Sequence, residues 1–106
     1  MSTSGQQTKP LTAAGLRQFI ARAVERNFVR EAFHSECERA SRNISDEDVL
    51  YGLERGDWVL AKSPDYDFRH KNWEYLIKTH DIEGDELHLK IAVFQSDGRL
   101  IVITKY

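Results

Sequence analysis

The sequence predicts an α+β domain, with about three N-terminal helices packed on one face of a four-stranded antiparallel sheet. Three observations predict it. Apolar residues recur at three- and four-residue spacing as far as Gly56, the period then changes to strict alternation, and an Asp97-Gly98 pair separates the last two alternating runs.

The first helix is expected over about 11–27. Thr12 is placed to cap it, Leu16, Phe19, Ile20, Ala23, Val24 and Phe28 form its apolar stripe, and Arg17, Arg22, Glu25 and Arg26 form its charged face. A short second helix is expected over roughly 34–42, with Cys37 and Ala40 on one side and Glu36, Glu38 and Arg39 on the other. Ser45-Asp46-Glu47-Asp48 then resembles a capping box, in which the Ser45 hydroxyl accepts from the Asp48 amide and the Asp48 carboxylate reaches back. The third helix is expected over 46–55, with Val49, Leu50 and Leu53 as its apolar stripe, and stops at Gly56, which supplies a left-handed residue. Strands are expected over 57–62, 72–80, 86–95 and 99–106. The stretch 63–71, with Pro64 and several charges, reads as a loop, and Glu83-Gly84-Asp85 and Asp97-Gly98 read as turns. An Asp-Gly pair suits a two-residue type I′ hairpin, where both central residues need positive φ.

A chain of 106 residues, 41% of them hydrophobic and 30% charged, supports one core. That core is assigned to a single domain over 11–106, preceded by a polar tail over 1–10 that has nothing to bury. No apolar run approaches the ~18 residues that cross a bilayer, and the start lacks the apolar stretch of a signal peptide, so the expected location is the cytoplasm with no membrane partner. The lone Cys37 excludes an internal disulfide and reads as a small buried apolar residue. A net charge of −2 and a pI near 6.1 do not describe a general nucleic-acid binder, so any contact with RNA must be local.

Such a place exists at the end of the sheet. If Asp97-Gly98 is a two-residue turn, Ser96 faces Arg99, Phe94 faces Ile101, Ala92 faces Ile103 and Lys90 faces Lys105. Alternation puts Glu86 and His88 on the face of Lys90, and the preceding hairpin adds Lys78 and His80. The other face, with Trp73, Tyr75, Ile77, Leu87, Leu89, Ile91, Val93, Leu100 and Val102, is the expected core. Polar residues ordinarily occupy the wet face of a one-sided sheet, and an edge lysine such as Lys105 blocks aggregation. Opposed lysines nevertheless weaken a sheet, and an anion is their natural partner. His88, His80, Lys78, Lys90 and Lys105, with Glu74 and Lys62 nearby, are the residue types that metal-independent RNA cleavage uses: a base for the 2′-hydroxyl, an acid for the leaving oxygen and cations for the phosphorane.

The ending HLKIAVFQSDGRLIVITK, preceded by DWVLAKS and NWEYLIK, resembles toxins of the motility quorum-sensing regulator type, bacterial mRNA interferases with a RelE-like fold. The segment from His34 through Arg42-Asn43-Ile44-Ser45 to the C-terminal VIT resembles the domain-of-unknown-function 4258 family, a related branch. The resemblance spans about 11–106. It implies a RelE-like fold, mRNA as substrate, an antitoxin protein as partner and no cofactor. In those toxins a lysine of a Lys-Ser step, a glutamine after a tryptophan, a tyrosine before a Leu-Lys pair and a C-terminal lysine are implicated in cleavage. Lys62 and Lys105 match the first and last, while Glu74 stands at the glutamine and His88 at the tyrosine. The resemblance thus implies His88 as general acid or base, Lys62 and Lys105 as phosphate stabilisers, and Glu74 as a second acid–base or orienting group, with Lys78, His80 and Lys90 binding RNA. The two departures equally suit a non-catalytic binding or regulatory module on the same scaffold. A third reading is a structural subunit that pairs through an exposed edge strand. His34 reads as a surface or helix-start histidine, and Trp58 and Trp73 as core. His70, among Asp65, Asp67 and Arg69, matches no metal spacing, so no metal is expected.

Overall fold

The computed structural model describes residues 9–32 and 44–106. It is α+β. The elements in chain order are α1 (Ala13–Glu25), β1 (Val29–Glu31), α2 (Asp46–Arg55), β2 (Val59–Leu60), β3 (Asp65–Asp67), β4 (Asn72–His80), β5 (Glu86–Phe94) and β6 (Arg99–Lys105). The expected helix over 34–42, Cys37, His34 and most of the N-terminal tail lie outside the described residues.

Both described helices begin and end where local chemistry dictates. The Thr12 side chain accepts from the Gly15 amide at 3.1 Å, and Leu16, Ile20 and Ala23 form the buried stripe of α1. Asn27 then turns left-handed at φ 60°, the Phe28 amide donates to the Ala23 carbonyl and the Asn27 amide to the Val24 carbonyl, which is the Schellman closure. Helix α2 carries the expected capping box: the Asp48 amide donates to the Ser45 hydroxyl and the Ser45 amide donates to the Asp48 carboxylate, both at 3.1 Å. Arg17 joins the two helices, its guanidinium donating to the Gly56 carbonyl and lying 4.3 Å from the centre of the Trp58 ring.

The sheet differs from the expected four antiparallel strands. Its order is β1-β6-β5-β4-β2, with β3 also paired to β4, and β1 runs parallel to β6. Strands β1 and β3 are three residues each, too short for alternation to show in sequence. Strand β3 falls inside the stretch expected to be a loop, where Tyr66 packs edge-on against Trp73 with ring centres 5.1 Å apart.

Two corrections to register matter for the site. Asp97-Gly98 is not a two-residue type I′ turn, because only Gly98 has positive φ (78°); residues 95–98 form the turn and Phe94 faces Arg99. Pairing is therefore shifted by two, so Ala92 faces Ile101 and each side chain keeps its face. The pairing then slips by one between Lys90 and Ile91: Ile91 faces Val102, but Lys90 faces Thr104 and Leu89 faces Lys105. This bulge turns Lys105 to the opposite face, so Lys90 and Lys105 are not cross-strand neighbours.

The core lies between the helices and the face of the sheet that carries Tyr75, Ile77, Leu87, Leu89, Ile91, Val93, Leu100 and Val102, against which Leu16, Ile20, Val49, Leu53 and Trp58 pack. Trp58 is fully buried and Trp73 packs at the core's margin, as core residues rather than exposed platforms. On the other sheet face Lys78 and His80 are exposed, while Asn72 and Ala92 are buried.

Candidate functional site

Period-two alternation sends Glu74, Lys78 and His80 of β4, and Glu86, His88 and Lys90 of β5, away from the helices. Register brings them together: Lys78 faces His88, His80 faces Glu86, and Leu76 faces Lys90. The Lys90 ammonium reaches diagonally to the Glu74 carboxylate at 3.4 Å. His88 is anchored on three sides. Its backbone exchanges both hydrogen bonds with Tyr106, its ring stacks on the Tyr106 ring at 5.0 Å and 8°, and its Nε2 lies 3.4 Å from Glu86. Its side chain is still about a quarter exposed. Tyr106 was not singled out in the sequence. The signal for it was the bulge, which places Thr104 and Tyr106 on the outer face in place of Lys105.

Lys62 sits at the sheet edge, where its ammonium is 3.0 Å from Asp65, and Asp65 faces Glu74 across β3 and β4. Lys105 is elsewhere. It shares the face of Leu89 and donates to Glu31 at 2.9 Å, beside the N-terminal end of α2. Burial holds the Glu31 carboxyl above its ordinary range; the Lys105 cation pulls it down and the hydrogen-bonded Asp46 carboxyl raises it further. Of the seven residues singled out for cleavage and RNA binding, the outer face thus collects His88, Glu74, Lys78, His80 and Lys90, with Lys62 at its rim and Lys105 behind it.

Next to this strip is a cavity of about 410 Å³ on the same face. Its floor is apolar, from Ala92, Phe94, Ile101 and Ile103; Asp67, Arg69, His70, Asn72 and Glu74 line its polar side. The β3–β4 connection builds that side. Lys71 is left-handed at φ 57°, the Lys71 amide closes on the Asp67 carbonyl at 2.7 Å, and the His70 Nδ1 meets the Asp67 carboxylate at 2.7 Å. That hydrogen bond from His70 holds the Asp67 carboxyl below the usual carboxylate range. Asp65 pairs with Lys62 and Asp67 with His70, so the acidic residues of this segment do not converge on one point.

Asn72 is the anomaly of the cavity. It is 4% exposed, and neither its Nδ2 nor its Oδ1 has a hydrogen-bond partner. An orphaned buried polar group costs about 1–3 kcal/mol, so this amide weakens the fold unless something else uses it. Sequence reading passed over it because an asparagine after a charged loop reads as the start of a strand.

Among the described residues no helix is long and apolar enough to cross a membrane. No curated protein matches the chain at a significant level. The family model of the domain of unknown function DUF4258 matches residues 32–106, a span that holds α2, the whole solvent-facing site and every strand but β1, and the chain belongs to that family.

Proposed function

We propose that the chain is a metal-independent endoribonuclease of the toxin kind, with a RelE-like fold, that cleaves mRNA on the outer face of its sheet. The observation that carries the reading is the gathering of an imidazole, a carboxylate and two ammonium groups on one solvent-facing surface: His88 opposite Lys78, beside the Lys90–Glu74 pair. The resemblance of the C-terminal half to the motility quorum-sensing regulator toxins supports it.

The chemistry is proton transfer and charge stabilisation. His88 removes the 2′-hydroxyl proton; O2′ attacks the adjacent phosphorus; the bond from phosphorus to O5′ breaks, and O5′ takes a proton from solvent water, while Glu74 orients Lys90. The products are a 2′,3′-cyclic phosphate and a 5′-hydroxyl. His88 suits this role because an imidazole nitrogen can accept a proton from a hydroxyl within hydrogen-bond reach. Glu86 and Tyr106 orient its ring, Lys78 and Lys90 stabilise the phosphorane, and His80 and Lys62 extend the RNA path. Lys105, tied to Glu31 on the other face, supports the strand rather than the phosphate in this reading. An antitoxin partner and a cytoplasmic setting accompany the proposal.

The test is induced expression in a bacterial host of the wild type beside a His88→Ala, Glu74→Gln double variant of equal abundance. Growth arrest with fragmented mRNA from the wild type alone is the expected result; intact mRNA with both sinks the nuclease. A second reading, a binding module without cleavage, is favoured by one observation, the occupation of His88 by Glu86 and of Lys90 by Glu74. It predicts that the double variant keeps its partner while neither protein cuts RNA.

A further inference from the structure

We propose that the cavity beside the catalytic strip is a pocket for one unpaired nucleobase of the RNA, read by the Asn72 amide, with adenine as the preferred base. The proposal rests on the RNA reading above and deepens it.

Three properties of the cavity fit a base. At about 410 Å³ it lies in the size range of small-ligand sites. Its floor of Ala92, Phe94, Ile101 and Ile103 offers apolar surface to the faces of a planar ring, and Phe94 adds an aromatic side chain. Its polar side carries Asn72, a buried side chain whose amide holds a donor and an acceptor side by side and spends neither within the protein. That pattern is the complement of an adenine edge, where an amino donor adjoins a ring nitrogen acceptor, and asparagine makes this pair bidentately. Single-stranded RNA is recognised in this way, by bases turned out of the stack into pockets.

The position fits as well. Glu74 belongs to both the cavity and the strip, facing Ala92 in one direction and pairing with Lys90 in the other. Four residues of β5 separate Ala92 from His88, roughly 13 Å along the strand at about 3.3 Å per residue. A nucleotide seated in the cavity therefore leads its chain toward Lys90, Lys78 and His88. Arg69, on the cavity wall, is placed to meet a phosphate at the other end.

The experiment is titration of the full chain with AMP, CMP, GMP and UMP, followed by NMR shifts of the Asn72 side-chain amide and of Ala92 and Ile103 methyl groups. An Asn72→Leu variant is titrated alongside, and the melting temperature of both proteins is taken without ligand. Wild type is expected to bind AMP most tightly, with shifts confined to the cavity. Asn72→Leu is expected to lose about 5- to 150-fold in AMP affinity, the discrimination of one bidentate pair, while melting no lower than wild type, because it replaces an orphaned amide by an apolar group of similar size. Binding of none of the four, equal binding of all four, or an Asn72→Leu variant that melts lower and binds AMP unchanged would each overturn the proposal. Selective, Asn72-dependent binding of AMP in a protein that cuts no RNA keeps the pocket and removes the nuclease, so the two failures are separate.

Discussion

Gly52 shows how little room the fold leaves at single residues. A Cβ there would stand 2.7 Å from the Thr79 Cγ2 and 3.2 Å from the His80 carbonyl oxygen, and the Thr79 hydroxyl already donates to the Gly52 carbonyl at 2.9 Å. Gly52→Ala gains about 1 kcal/mol of helix propensity but forces α2 off β4 at a cost of about 1–3 kcal/mol. We predict a net loss of stability, read as a lower denaturation midpoint at unchanged slope; a midpoint equal to or above wild type would contradict the close contact. Glu31 carries a pH signature. Its carboxyl is raised in the folded state, so the fold holds that proton more firmly than the unfolded chain does. This contribution is fully present below the ordinary glutamate range and is lost as pH rises through the folded value. Wild type should therefore lose stability relative to Glu31→Gln as pH climbs from about 4 toward neutrality. The residues of the outer face were legible because alternation assigns a face without knowledge of the register. Lys105 was not, since one extra residue at the bulge reverses its side, and Asn72 was not, since a missing hydrogen bond leaves no trace in sequence.

Among the elements, α2 and β4 occupy the expected residues, and β5 and β6 differ from expectation by one residue at their ends. The capping box, the left-handed Gly56 and sustained alternation are local signals, which is why they could be read. Strands β1 and β3 depend on partners 71 and 9 residues away at Val29–Leu100 and Asp65–Glu74, and a three-residue strand has no period of its own. The last turn was misread for a physical reason: Asp97 keeps negative φ and uses its carboxylate to accept the Arg99 amide at 3.1 Å, leaving Gly98 alone in the left-handed region. Lys105 belongs at this scale, since it ties β6 to Glu31 of β1. Lys105→Ala should cost about 2 kcal/mol by leaving a charged hydrogen bond unmade, and should leave the RNA cleavage rate of the folded protein unaltered. A stable variant that no longer cleaves would return Lys105 to the site.

At the scale of the whole molecule, the proposed function asks a chain with net charge −2 to attract RNA with a local field. Lys62, Lys78, Lys90 and Arg69 are the cations along the proposed path. Binding of a single-stranded oligonucleotide should thus weaken with salt at a logarithmic slope of about −3, as four phosphate contacts give. A slope near zero would remove RNA from the sheet face, and a much steeper one would point to a basic surface elsewhere. The α+β class was legible because the helical and alternating halves are separated at Gly56. The mixed sheet was not, because the parallel pairing of β1 with β6 joins the two halves. Among the described residues the helices pack on one face of that sheet, and the other face carries His88, Glu74, Lys78 and Lys90.

The most direct measurement is incubation of the purified chain with a defined single-stranded oligoribonucleotide in excess chelator, with the product ends identified by mass. The account predicts fragments ending in a 2′,3′-cyclic phosphate from wild type, and a rate at least about 100-fold lower from folded His88→Ala. Intact RNA, or cleavage at an undiminished rate by His88→Ala, would contradict it.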